Sequence, residues 1–143
     1  MARTLSPRLL AIAEALPLRP GTRVLEIGCG PGALAREIAA RIGDGHVLAI
    51  DRSAKAITQA KAACSAEIAA GRLSLRQVAA EDFALMPGEM VFDLAVAIRV
   101  GALDGRHPEA GRVARKRIAA ALKPDACLFI DANDGVRAIP LDD

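Results

Sequence analysis

The sequence predicts an α/β fold, a three-layer sandwich in which a mostly parallel sheet of about five strands carries helices on both faces. Three observations lead there. Short apolar runs alternate with longer runs of helical period along the chain, as in strand–helix–strand units. The strand runs are apolar at successive positions, as in Val24-Leu25-Glu26-Ile27, which suits strands covered on both faces. The first such run leads directly into Gly28-Cys29-Gly30-Pro31-Gly32 and then into the helix-forming Ala33-Leu34-Ala35-Arg36-Glu37. With 143 residues and no internal repeat, low-complexity tract or linker, residues 1–143 read as one domain.

The elements follow in order. Ser6 caps a first helix with Pro7 at its first position, and Leu9, Leu10, Ile12, Ala13 and Leu16 recur at helical spacing. Pro17 ends it, and Pro20-Gly21 makes a turn. Residues 22–27 form the first strand and 31–41 the helix after the glycine loop. Residues 46–50 form the second strand, which ends in Asp51. A long helix over 53–70 starts at Ser53 and stops at Gly71. The third strand covers 73–78, with a loop or short helix over 81–89. The fourth strand covers 91–100. A loop over 101–107 leads to a helix over 108–122, with proline at its start. The fifth strand, 126–130, ends in Asp131.

Composition narrows the function. The chain has no Trp, no Tyr and three Phe, which argues against stacking nucleic-acid bases on aromatics. A net charge of +2 describes a balanced surface rather than a polyanion-binding one. Cys29, Cys64 and Cys127 are an odd number at wide spacing and fit neither a disulfide framework nor a zinc pattern. No metal site is expected, and a reducing, cytoplasmic setting is. Arg3, Arg8 and Glu14 interrupt any secretory apolar region, and no run is long enough to span a membrane.

Ligands of open parallel sheets bind outside the carboxyl ends of the strands, where strand order reverses. That rule gathers the glycine loop, Asp51, the loop after Val78, Arg99 and Asp131 along one edge. The loop presents a helix N-terminus and bare backbone N–H groups. Alone it could equally be a plain tight turn. Asp51 stands at the spacing of a ribose-binding acid, able to accept both vicinal hydroxyls. Its other role would be to cap the helix near Ser53. Gly28, Gly30 and Ala33 also satisfy the looser dinucleotide pattern, so a nicotinamide nucleotide stays open. Glu26 weighs against it, because a carboxylate there suits an ammonium group better than a pyrophosphate. Its other role would be a pairing with the N-terminal segment.

Val24-Leu25-Glu26-Ile27-Gly28-Cys29-Gly30-Pro31-Gly32, with Asp51 closing the next strand, closely resembles the cofactor site of the class I (Rossmann-like) S-adenosylmethionine-dependent methyltransferases. The resemblance covers roughly residues 5–131. It implies S-adenosylmethionine as cofactor and S-adenosylhomocysteine as product. Glu26 would hold the amino-acid end. The loop of Gly28, Cys29, Gly30 and Gly32 would pass beside the methionine part, and Asp51 would take the ribose hydroxyls. Arg52 would flank the adenine, with Glu81 or Asp82 near its amino group. Phe92-Asp93-Leu94 is similar to the family's opening of the fourth strand, with Asp93 structural.

The acceptor side is less defined. The stretch 98–107 lacks the Asn/Asp-Pro-Pro-Tyr motif of many adenine, cytosine and glutamine N-methyltransferases. Arg99 is a candidate for orienting an anionic acceptor and His107 a candidate base, although an exposed loop histidine is the plainer reading. His46 lies at the opposite end of the sheet and has no role. Arg112, Arg115, Lys116, Arg117 and Lys123 read as a solvated helix face, so a nucleic-acid partner is not expected. The fold is expected to be shortened at the C-terminus, with one short strand at most over 136–141. The fifth strand would then be an exposed edge, covered by a homodimer. The leading functional reading is methyl transfer, mainly by positioning, to an unidentified acceptor. A non-catalytic cofactor-binding or regulatory subunit is the alternative, and an NAD-dependent oxidoreductase is third.

Overall fold

Strand β1 (Arg23–Ile27) lies at the centre of one sheet, between β2 (His46–Asp51) and β4 (Leu94–Ala97). Beyond β2 comes β3 (Leu73–Gln77), and beyond β4 come β5 (Leu128–Ala132) and β6 (Gly135–Ile139). The order is β3-β2-β1-β4-β5-β6, parallel throughout except for β6. This computed structural model describes residues 5–101, 103, 106–133 and 135–141. Sequence order reverses between β1 and β4, whose carboxyl ends meet where Ile27 pairs with Ala97.

Successive residues of each strand face opposite sides, and each side has its own apolar core. Val24, Val47, Ala49, Leu94 and Val96 pack under α1 (Pro7–Ala15), α2 (Ala33–Ala39) and α3 (Ala54–Ala63). Leu25, Ile27, Leu48, Ile50, Ala95 and Leu128 pack under α5 (Pro108–Ala121), with Phe83 and Phe92 inserted from connecting segments. These are the helix-covered faces that the unalternating strands predict. Among the described residues no helix is long and apolar enough to cross a membrane.

Several boundaries differ from expectation, each for a local reason. The helix expected from residue 31 begins at Ala33, because Gly32 adopts a left-handed φ of 91°. The helix expected over 53–70 is two, α3 and α4 (Ser65–Ala69). At their junction Cys64 is fully buried, and its thiol points at the Gly32 carbonyl, 3.5 Å away. The fourth strand is shorter than 91–100. Phe92 makes only an isolated bridge to Leu122, and Arg99 has a φ of 57° that no strand can continue through. Ser6 and Ser53 cap their helices as expected, accepting from Leu9 N and Ala56 N.

The largest correction concerns the sheet's edge. The sheet has six strands, because residues 135–139 pair antiparallel with β5, from Leu128 against Ile139 to Ala132 against Gly135. Strand β5 is therefore hydrogen-bonded on both sides, and the expected homodimer through its open edge has no such edge to use.

Gly32 joins the two halves of one face. A Cβ placed there would lie 2.8 Å from Cys64 Sγ and 3.2 Å from Ala60 Cβ, at a backbone angle that side chains avoid. Gly32→Ala is expected to destabilise the fold by roughly 2–4 kcal/mol, from left-handed strain and overpacking together. Urea unfolding followed by far-ultraviolet circular dichroism measures it. A change within a few tenths would show that α2 and α3 are not held at this distance.

Candidate functional site

The loop after β1 is tied to the end of β2. Gly28 N and Cys29 N both donate to the Ile50 carbonyl, at 2.8 and 3.0 Å. Gly30 N donates to Asp51 Oδ2 at 2.8 Å, and Ser53 N donates to Asp51 Oδ1 at 2.9 Å. Asp51 thus shapes the start of α3 and clamps the glycine loop, while Ser53 supplies the helix cap itself. At Gly28 the φ is 71°, and a Cβ would come within 2.7 Å of Val100 Cγ2. Only glycine lets the loops after β1 and β4 approach so closely.

A cleft of about 540 Å³ opens at this end of the sheet. It brings together six of the residues singled out in the sequence: Gly28, Asp51, Arg52, Glu81, Arg99 and His107. Its apolar floor includes Ile27, Val78 and Ala80. Glu26, Cys29, Gly30, Gly32 and Asp82 do not line it. Gly32 is buried against α3. Glu81 and Asp82 share a 3-10 turn, Ala80–Asp82, in which Glu81 is half-buried at the cleft and Asp82 is exposed beyond it.

Glu26 follows Val24 onto the α1–α3 face, between Ala49 and Val96 in register. It is 3% exposed, and its Oε1 has no hydrogen-bond partner among the described residues. The pairing with the N-terminal segment weighed above is not made by Arg8, whose guanidinium binds Asp131 at 2.7 Å. Burial first, and the nearby Asp51 charge second, push the Glu26 carboxyl up to about 8. The Cys29 thiol is also raised well above its usual range, by burial and then by the Glu26 and Asp51 charges. It donates towards the Gly30 carbonyl and is no nucleophile at neutral pH.

On the β4 side, Arg99 takes its left-handed turn with its N–H held by Asp131 Oδ1 at 3.1 Å. Exposed His107 precedes α5 without capping it, and its ring packs over Gly101. His46 and Asp93 lie at the other end of the strands, as expected. His46 contacts the Gly71 carbonyl and Ser74, whereas Asp93 accepts from Arg23 N and pairs with Lys123. On α5, Arg112 pairs with Glu109 one turn earlier. Arg106 and Arg137 line a hollow on this side together with Arg99 and Asp131, without having been singled out. Arg106 stood in the loop already under discussion, whereas Arg137 has no signal until β6 is seen to pair with β5.

A parallel sheet that reverses beside a glycine loop, with an acid closing the next strand, defines a Rossmann-like domain built to receive a nucleoside-bearing ligand. Residues 24–125 match the family model described as a methyltransferase domain, and the chain belongs to that family. It is 38% identical over 97 residues to the ribosomal RNA small subunit methyltransferase A of Moorella thermoacetica, covering 68% of this chain and 30% of that protein. It is 34% identical over 123 residues to the nocamycin O-methyltransferase of Saccharothrix syringae, covering 86% of this chain and 41% of that one. The chain therefore spans well under half the length of these curated relatives. In fold it is similar to an S-adenosylmethionine-dependent methyltransferase of Geobacter sulfurreducens solved with S-adenosyl-L-homocysteine. The TM-score there is 0.69 at 24% identity, over 88% of this chain and 48% of that one.

Glu26 also makes stability depend on pH. Its folded value is raised from an ordinary 4.5 to about 8, so the folded state holds the extra proton. Its contribution to stability is complete below about 4.5 and is lost as pH rises through about 8. Glu26→Gln is expected to be more stable than the parent at pH values above that window and to flatten the decline across it. Thermal unfolding across the window measures this. Parallel curves for the two proteins would show that Glu26 is already satisfied.

Proposed function

We propose that this domain binds S-adenosylmethionine at the carboxyl ends of β1 and β2 and transfers its methyl group to an acceptor on the β4 side. The observation that carries the reading is the buried Glu26 carboxylate oxygen without a partner. A buried carboxylate in that state is destabilising, and a ligand's ammonium group would supply the missing charge and hydrogen bonds. A dinucleotide's pyrophosphate would do the opposite. Gly28 offers backbone without a side chain, and Asp51 faces the cleft with acceptor capacity beyond its two backbone bonds. Arg52 and Glu81 are placed on the same wall to flank a base.

When bound, the sulfonium cofactor supplies an already activated methyl group. The protein's remaining task is to orient the acceptor, and positioning alone can lower such a barrier by ~7–11 kcal/mol at best. The apolar floor and the Val100 side chain over Gly28 offer the acceptor an apolar wall. His107, exposed at the rim, can take a proton from an acceptor that carries one. The two curated relatives are named for different acceptors, an rRNA and an O-linked site, so this chain's acceptor must be sought in its own residues.

Calorimetry with S-adenosylmethionine and S-adenosylhomocysteine tests the reading. Binding is expected to release about one proton near neutral pH, as Glu26 ionises against the ammonium group. Repeating the titration in buffers of different ionisation enthalpy shows it. Asp51→Ala is expected to weaken binding by roughly 1–3 kcal/mol through lost charged hydrogen bonds, and Glu26→Gln to weaken binding and abolish the proton release. Absence of binding by the folded protein at millimolar ligand would sink the proposal.

A further inference from the structure

Past β4, beside the cleft, lies a second hollow of about 610 Å³, lined by Arg99, Arg106, Ile130, Asp131 and Arg137. Arg99 and Arg106 line both spaces, so the two are neighbours along one edge of the sheet. The guanidinium groups of Arg99 and Arg137 share this hollow with one carboxylate among the described lining residues, and that carboxylate is engaged. Asp131 Oδ1 accepts the Arg99 N–H, and Oδ2 is bound by Arg8 from α1. Arg137 stands on β6 opposite Ile130, so the arginines reach the hollow from different elements.

We propose that this hollow is the acceptor subsite and that it takes a small acceptor carrying a carboxylate or phosphate group, held by Arg99 and Arg137. The proposal rests on the methyl-transfer reading above and names its substrate class. Guanidinium groups present paired, planar donors that match either anion bidentately. Their separate origins fix where an anion would sit, beside the cleft rather than within it. The scale favours a small anion over an RNA strand. Arg115, Lys116 and Arg117 of α5 line neither space, so the basic run of that helix does not extend the hollow.

The test titrates inorganic phosphate, and separately succinate, into the protein with and without S-adenosylhomocysteine. Arginine side-chain NMR signals report the binding. Saturable shifts at Arg99 and Arg137 are expected, and the stronger of the two anions identifies the group. Arg137→Gln is expected to weaken anion binding about tenfold or more, with S-adenosylhomocysteine affinity unchanged and the fold intact by circular dichroism. Arg137→Lys should recover part of the loss. Shifts that do not saturate, or equal affinity in Arg137→Gln, would overturn the proposal. So would tight binding of an oligoribonucleotide whose salt dependence, about −0.7 per phosphate neutralised, reports a run of phosphates. Failure of S-adenosylhomocysteine to bind strikes the cofactor reading instead, because the anion titration without it still decides the hollow.

Discussion

The Ile50 carbonyl and the Asp51 carboxylate hold the glycine loop by three backbone N–H groups, those of Gly28, Cys29 and Gly30. Each neutral bond contributes about 1 kcal/mol net and the one to the carboxylate more. Their larger effect is geometric. They turn the chain at the end of β1 over the end of β2 and set where α2 begins. That placement lets Gly32 sit against Cys64 and Ala60 of the next helical unit. The break between α3 and α4 follows from the same contact, since Cys64 is turned inward to meet the loop's last glycine. One strand terminus thus fixes two helices and the cleft between two loops.

Glu26 sits within this arrangement against every preference of its surroundings. Its neighbours in the sheet are Ala49 and Val96, and its face of the core is aliphatic. A valine would extend that core without a desolvation penalty. A local choice that conflicts with the global fold is expected where function demands it. The conflict also has a direction. Glu26 holds its proton at neutral pH and would release it to a positive partner but not to a negative one, a discrimination by sign that precedes any of shape. The glycine pattern, which fits two classes of nucleotide, does not provide that discrimination.

The geometry of the glycine loop and Asp51 was legible because it is local in sequence. Strand, loop and helix are contiguous, and the Gly30–Asp51 bond spans 21 positions. The choice between Glu81 and Asp82 was not legible, because neighbours in a single 3-10 turn point apart and only the packing of Ala80 and Phe83 decides which faces the cleft. Strand β6, read only as one short strand at most over 136–141, was faint for a different reason. Gly135 and Arg137 spoil its pattern, and it becomes a strand by pairing with β5 and tucking Val136 into the core beneath α1. The β4–β6 side of the cleft depends on such distant contacts, with Arg8 and Asp131 separated by 123 positions.

The two halves nevertheless share one device. Asp51 closes β2 and accepts from the loop after β1, while Asp131 lies near the end of β5 and accepts from the loop after β4. β1 and β4 flank the reversal in strand order, so the width of the cleft is set by carboxylates anchored in the sheet. The two acids differ in what else they hold. Asp51 spends one bond from each oxygen on backbone N–H groups and lies in the wall of the cleft. The charge of Asp131 is offset by Arg8, and its other oxygen stabilises an arginine backbone in a left-handed turn that costs about 1–2 kcal/mol. Strain kept at a rim in this way is explained by what it positions. Here it sets Arg99 at the same hollow as Arg137, where the carboxylate of Asp131 is already paired with Arg8.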